Sequence, residues 1–279
     1  MSIGEPAAGH PESVVAVLGA GVMGETMVSG LLRSGRPASQ LVIAERRPER
    51  VTELRERYGV DVVDTAEAVQ RADTLMLVVK PQDMERLLAE IAPNVRPGQL
   101  VVSMAAGIPT TYLEDQLAAG VVVIRCMPNT PALVDQGMAA LAPGSRCEEH
   151  HLQEAESLLR ATGKVVRVPE SQLDAVTAIS GSGPAYVFYV VESMIEAGVH
   201  LGLPRAVAAE MVVQTVSGAA TLLRETGEHP TVLRERVTSP GGTTAAAVRS
   251  LENGKVRADF LAAMEAARDR SRALADGGL

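Results

Sequence analysis

Over the first 168 positions short, mainly apolar runs recur: 14–18, 41–44, 60–63, 74–79, 100–103, 121–126 and 165–168, with 137–141 as a weaker eighth. Amphipathic patterns such as 48–58 and 82–91 lie between them. Continuous apolar strands alternating with helices predict a parallel sheet covered on both faces. Beyond Pro169 the strand signal stops and helical periodicity takes over. The fold class expected is α/β: a Rossmann-type, doubly wound parallel sheet over 13–168, then an all-α domain over 169–279. Residues 1–12, rich in Gly, Ala and Pro without an apolar core, read as a disordered tail and not as a signal peptide.

The helical half has an unusual pattern. Pro184 and Pro204 fit first helical turns, where a missing N–H costs nothing. The helix after each proline is apolar on nearly every side, with Val207, Met211, Val212, Val213, Val216, Leu222 and Leu223 in the second. A helix apolar all round must be buried all round. A domain of this size has little interior to offer two such helices, so the expected cover is the same domain of a second subunit. The stretch 184–203 carries Glu192, Glu196 and His200, which argues against a membrane span.

Chemistry enters at the end of the first strand, where Val-Val-Ala-Val-Leu runs into Gly19-Ala20-Gly21-Val22-Met23-Gly24. Gly19 suits a tight turn, Gly21 a close approach of backbone to a pyrophosphate, and Gly24 close packing of helix on strand. The helix that follows turns its free N–H groups and positive dipole end towards phosphate. Glu45 ends the next strand at the spacing of a ribose-binding carboxylate. Arg46 and Arg47 follow at once and can clasp a 2′-phosphate.

Composition narrows the class. The chain has 279 residues, a formal charge of −8 and 2% aromatics, which leaves no stacking platform for nucleic acid. Two cysteines, Cys126 and Cys147, are too few for a disulfide framework or a zinc site, and Cys126 reads as a small core residue. His150 and His151 are adjacent and cannot share a helix face as ligands do, so no metal is expected.

Three further segments are candidates. Residues 238–244 read Thr-Ser-Pro-Gly-Gly-Thr-Thr ahead of an Ala-rich helix: either an anion seat of backbone N–H groups and hydroxyls, or an elaborate N-cap. The glycine loop 179–186 is either a ligand contact or a hinge. Lys80-Pro81 and Asn129 follow strands at the ligand end of the sheet: Lys80 either faces the cofactor or is a solvated charge. Asn129 orients either a nicotinamide carboxamide or a nearby loop.

Together these segments resemble the pyrroline-5-carboxylate reductase family over nearly the whole chain. The carrying motifs are the glycine fingerprint, Val78-Val79-Lys80-Pro81, Ser103-Met104-Ala105-Ala106-Gly107, Arg125-Cys126-Met127-Pro128-Asn129-Thr130-Pro131, the run 174–186, and 238–244. The resemblance implies reduction of 1-pyrroline-5-carboxylate to L-proline with NAD(P)H, the last step of proline synthesis, in the cytoplasm. It also implies a helical domain interlocked with a dimer mate, and decamers in several members. Carried over, Ser239, Gly242, Thr243 and Thr244 bind the substrate carboxylate, and the Thr244 hydroxyl meets the ring nitrogen as the catalytic group. Gly19, Gly21, Val22, Met23, Gly24, Glu45, Arg46, Arg47, Val79, Lys80, Pro81, Ala105, Ala106 and Asn129 contact the cofactor. NADPH is favoured, with NADH as the alternative. Many members have Asn near the adenosine ribose where this chain has Asp64-Thr65.

Two other readings stand beside this one. A reductase of another small imino or 2-oxo acid on the same plan would carry, in the β-hydroxyacid dehydrogenase case, a catalytic Lys on a second-domain helix, and 184–226 contains no Lys. A silent NAD(P)-binding regulator would carry a degraded substrate segment, yet 239–244 is intact.

Overall fold

The computed structural model describes residues 13–275; the expected tail, 1–12, lies outside the described residues. The described chain runs β1 (Val15–Leu18), α1 (Val22–Arg33), β2 (Leu41–Ala44), α2 (Pro48–Tyr58), β3 (Asp61–Val63), α3 (Thr65–Arg71), β4 (Thr74–Leu77) and α4 (Met84–Ile91). It continues through β5 (Leu100–Ser103), α5 (Thr110–Gln116), β6 (Val122–Met127), β7 (Gly137–Pro143), α6 (Glu149–Leu159) and β8 (Gly163–Arg167). The remainder is helical: α7 (Leu173–Val176), α8 (Gly183–His200), α9 (Arg205–Thr226), α10 (Pro230–Arg236), α11 (Thr243–Asn253) and α12 (Val256–Ala275).

The strands form one eight-stranded sheet in the order β3-β2-β1-β4-β5-β6-β7-β8. Alternation within each apolar strand sends side chains to two separate cores. Val15, Val17, Ile43, Met76, Val102 and Ile124 pack on one face. Ala16, Leu18, Leu75, Leu77, Val101 and Val123 pack on the other. This is why the strands read as continuous apolar runs: both faces are dry. The order reverses between β1 and β4, which pair in parallel from Val15–Thr74 to Leu18–Leu77. Ligands of open α/β sheets sit beyond the carboxyl ends of strands at such a switch point.

The last two strands depart from the expected all-parallel sheet. β7 runs antiparallel to β6, with Cys126 opposite Leu141, and β8 then pairs parallel to β7. A short 3-10 turn over 130–134 reverses the chain between β6 and β7, where a parallel crossover would need a full helix. The apolar pattern is the same in either direction. Cys126 is a buried core residue, and burial pushes its thiol pKa up.

By compactness the chain divides into two units. One holds the described residues up to Gly181 together with those from Ala267 onwards; the other is Ser182–Ala266. The break therefore falls further along than the end of the strand signal near Pro169, because α7 belongs with the sheet. Leu173 packs on Ala140 and Ala142 of β7. The end of α12 joins the first unit as well, where the buried Ser271 hydroxyl donates to Asp174 Oδ1 at 2.7 Å.

In the second unit α8 and α9 pack closely on each other. A Cβ on Gly198 would lie 2.9 Å from the Ala208 Cβ. Yet α8 has no buried residue within the single chain, and α9 has only Ala208 and Val212. Phe188 and Tyr189 are 67% and 71% exposed, and Met211 and Val213 more than half. By length and composition alone α9 is apolar enough to cross a membrane.

Candidate functional site

At the switch point the three glycines of the fingerprint each meet a distinct constraint. Gly19 has φ +104°, a left-handed backbone that other residues resist, and a Cβ there would lie 2.6 Å from the Val78 carbonyl oxygen. Gly24 backs against Gly19. Gly21 is different, because nothing lies within 4 Å of where its Cβ would be. That open side is where a ligand can approach the backbone. Gly21 is also the N-cap of α1 and offers no side-chain cap, so the first N–H groups of the helix, at Val22 and Met23, have no acceptor among the described residues. The cradle fits a pyrophosphate.

Of the other cofactor candidates, Glu45, Arg46, Arg47 and Val79 line a cleft of about 360 Å³ together with Gly19 and Arg86, while Lys80, Pro81, Ala105, Ala106 and Asn129 lie outside its lining. Lys80 and Pro81 are exposed just past β4. Ala105 is packed into the core, so only its backbone is offered to a ligand, while Ala106 is half-buried beside it. Arg86 and Asp83, paired at 2.9 Å, also line this cleft. The sequence reading missed both; they lie on the turn and helix after Pro81, within an ordinary amphipathic pattern.

Glu45 does not project freely. Its Oε1 accepts the Arg46 and Arg47 backbone N–H groups at 2.8 and 3.0 Å, and its Oε2 accepts the Arg47 guanidinium at 2.9 Å. The Arg47 guanidinium, helped by the two backbone N–H groups, holds the Glu45 carboxyl down to about 2. Arg46 turns away from Glu45 and pairs with Glu90 on α4. Asp64, in the stretch expected near the ribose, caps α3 by accepting the Glu67 N–H at 2.8 Å, which leaves Thr65 lining the cleft.

Asn129 takes up the loop-tying role. Its Oδ1 accepts the Met138 N–H at 2.8 Å and its Nδ2 donates to the Ser180 carbonyl at 3.0 Å. One N–H of the amide remains. The run from Ile179 to Tyr186, expected as a glycine loop, is instead a π-type turn over Thr177–Gly181 leading directly into α8. Neither Gly181 nor Gly183 has a positive φ, and the Thr177 and Ser180 hydroxyls bond back to Leu173 and Val176, so the helical path continues.

The second unit holds the other candidate segment. Gly241 turns with φ +70°, Gly242 becomes the N-cap of α11, and its N–H donates to the Ser239 carbonyl at 3.0 Å. A Cβ on Gly242 would lie 2.4 Å from the Ser239 hydroxyl, so glycine is what allows Ser239 to fold over the helix start. No side chain caps α11. The segment is therefore not the elaborate N-cap that its hydroxyls allow. The N–H groups of Thr243 and Thr244 stand at an open helix N-terminus with hydroxyls beside them, a seat for a small anion.

Among the described residues no three His, Cys, Asp or Glu side chains gather in a way that could hold a metal. His151 serves the start of α6, where its Nδ1 accepts the Glu148 N–H at 3.1 Å.

Known proteins with this architecture are consistent in kind. A family model described as pyrroline-5-carboxylate reductase dimerisation matches residues 170–274, and one described as NADP oxidoreductase, coenzyme F420-dependent, matches 14–107. A pyrroline-5-carboxylate reductase of Corynebacterium melassecola is 44% identical over 94% of this chain and 98% of its own. The solved pyrroline-5-carboxylate reductase of Coxiella burnetii superimposes with TM-score 0.90 at 34% identity, covering 94% of this chain and 98% of that one. The Plasmodium falciparum pyrroline carboxylate reductase, solved with NADP bound, gives TM-score 0.85 at 26% identity over 96% of this chain and all of the other. With likeness of this extent on both units, the chain belongs to the pyrroline-5-carboxylate reductase family.

Proposed function

We propose that this protein reduces the C=N bond of 1-pyrroline-5-carboxylate to give L-proline, with NAD(P)H as reductant. The observation that carries the reading is the uncapped start of α11, whose free N–H groups and adjacent hydroxyls suit a small carboxylate. It stands in a chain with chain-long likeness to reductases of that name. The nucleotide belongs at the Gly19–Gly24 cradle, because Gly21 leaves room for a pyrophosphate and α1 supplies its N–H groups. A reduced nicotinamide supplies the hydride that the imine carbon accepts.

The protein's own part is binding and orientation. The Thr243 and Thr244 N–H groups and the Ser239 hydroxyl hold the carboxylate. The Thr244 hydroxyl hydrogen-bonds the ring nitrogen and handles its proton. Val79, Lys80, Pro81, Ala105 and Ala106, just past the ends of β4 and β5, would hold the nucleotide, and Asn129 holds the 177–181 turn in place. The protein's contribution to the rate is orientation of its ligands, with no covalent intermediate. Glu45 is the group that would favour NADH by accepting from a ribose hydroxyl, but Arg47 already occupies it. NADPH is therefore the preferred nucleotide, and NADH the slower one.

The exposed apolar faces of α8 and α9 are the dimer interface in this reading, and they belong to the segment matched by the dimerisation model. Dimers assemble further towards decamers, and the enzyme works in the cytoplasm. Steady-state oxidation of each nucleotide with 1-pyrroline-5-carboxylate tests the activity. Turnover of a 2-oxo acid in its place overturns it. Sedimentation at low micromolar concentration tests the assembly, and a stable active monomer overturns the interface.

A further inference from the structure

The turn after β2 carries two arginines that point to different partners. Arg47 folds back onto Glu45, while Arg46 reaches across to Glu90 in the last turn of α4. Glu45 and Arg46 line two adjoining hollows. One is the cleft of about 360 Å³ beside Gly19, where Arg46, Arg47 and Arg86 face Glu45 and Asp83. The other, of about 510 Å³, sets Arg46 and Arg55 against Glu45, Asp64 and Glu90. The first therefore has a surplus of cations and the second a surplus of carboxylates. In the second, Arg55 is spent on the Val62 carbonyl and Asp64 on the cap of α3. Arg46 is the cation common to both hollows, and Glu90 is the carboxylate that draws it to one side.

We propose that Glu90 tempers the NADPH preference of this enzyme, by competing with the 2′-phosphate of NADPH for Arg46. The proposal rests on the reading that the cleft beside Gly19 takes a nicotinamide dinucleotide. A 2′-phosphate needs a guanidinium fork directed at it. For Arg46 to supply one, it must leave Glu90, whose side chain is 33% exposed and which then faces Asp64 without its cation. NADH demands no such exchange, because a ribose hydroxyl carries no charge and makes no demand on a guanidinium. The Arg46–Glu90 pair thus weakens NADPH alone and keeps NADH competitive. Arg47, held by Glu45, stays in the cleft with either nucleotide. Glu90 is a specificity determinant that acts through Arg46 and touches no reacting atom.

Glu90→Gln keeps the size of the side chain and removes its charge. Fluorescence titration with NADPH and with NADH, on the intact protein, compares the parent with Glu90→Gln, Arg46→Ala and the double variant. In Glu90→Gln the dissociation constant for NADPH is expected to fall about three- to five-fold, in the range of a partly exposed ion pair, while that for NADH stays within about two-fold. The gain should vanish in the Arg46→Ala background, since the two residues then have nothing to share. It should also shrink at high salt. Glu90→Ala, which removes the carboxylate by another route, should shift the ratio the same way. Equal shifts for both nucleotides, or a gain that survives without Arg46, overturn the proposal. A parent protein that binds neither nucleotide overturns the reading of the cleft instead.

Discussion

A Cβ placed on Gly24 would lie 2.0 Å from the carbonyl oxygen of Gly19. The first and last glycines of the fingerprint are therefore in direct contact, and this contact sets how closely α1 approaches the turn after β1. Gly24→Ala must push the two apart, at a cost of about 1–3 kcal/mol for an overpacked core. The displaced helix start should weaken nucleotide binding by about ten-fold or more through lost N–H contacts. Urea denaturation and nucleotide titration read the two effects. A variant that binds NADPH like the parent would show that the helix start is not the phosphate seat.

Asn129 bridges Met138 and Ser180, so its loss is a matter of stability first. Asn129→Ala strands a part-buried N–H and a part-buried carbonyl, and unfolding free energy should fall by about 1–3 kcal/mol. Nucleotide affinity at a temperature well below unfolding should change much less. A large loss of affinity with no loss of stability would return Asn129 to direct contact with the nicotinamide.

The Glu45 pair predicts a pH window. The Arg47 guanidinium holds the folded Glu45 carboxyl down to about 2, below its ordinary 4.5, so the folded state binds the proton more weakly than the unfolded chain. The stabilisation is complete above about 4.5 and is lost as pH falls towards 2. The stability difference between parent and Glu45→Gln should be constant from pH 5 to 7 and shrink below pH 4.5. A difference that instead changes near neutrality would mean that the carboxyl is not held by Arg47.

Thr244 separates binding from chemistry. Its backbone N–H serves the carboxylate whatever the side chain, and only its hydroxyl can meet the ring nitrogen. Thr244→Ala should lower kcat by about ten-fold or more and leave nucleotide affinity alone, while Thr244→Ser keeps much of the activity. Parental turnover in Thr244→Ala would reduce the segment to a carboxylate seat.

These residues also show what the sequence could reveal. β1 and β2 are apolar quartets, and β4 and β5 carry three apolar residues in four, all buried; such runs have few other uses. Gly19 and Gly24 were legible because each answers a backbone constraint within one short turn, between which Gly21 leaves an open side. The reversal at β7 was not, since 137–141 is apolar whichever way the strand runs. The run 179–186 reads as a glycine loop but continues the helical path, because glycine permits loops without requiring them. Glu90 was invisible for a different reason. Its partner lies on another element, and nothing in the pattern of α4 distinguishes a paired glutamate from a solvated one.

All eight strands lie between Val15 and Arg167, and the sheet borrows only the end of α12 from the far end of the chain. Synthesis is vectorial, so the full set of strands is made before the apolar helices α8 and α9 and leaves the ribosome ahead of them. The nucleotide half can close while the surface most prone to aggregation does not yet exist. That surface is then the last to appear and has the shortest wait for a mate. Chains stalled within α9 are accordingly expected to resist protease across the sheet, and cleavage throughout it would show that the sheet waits for the C-terminal helices.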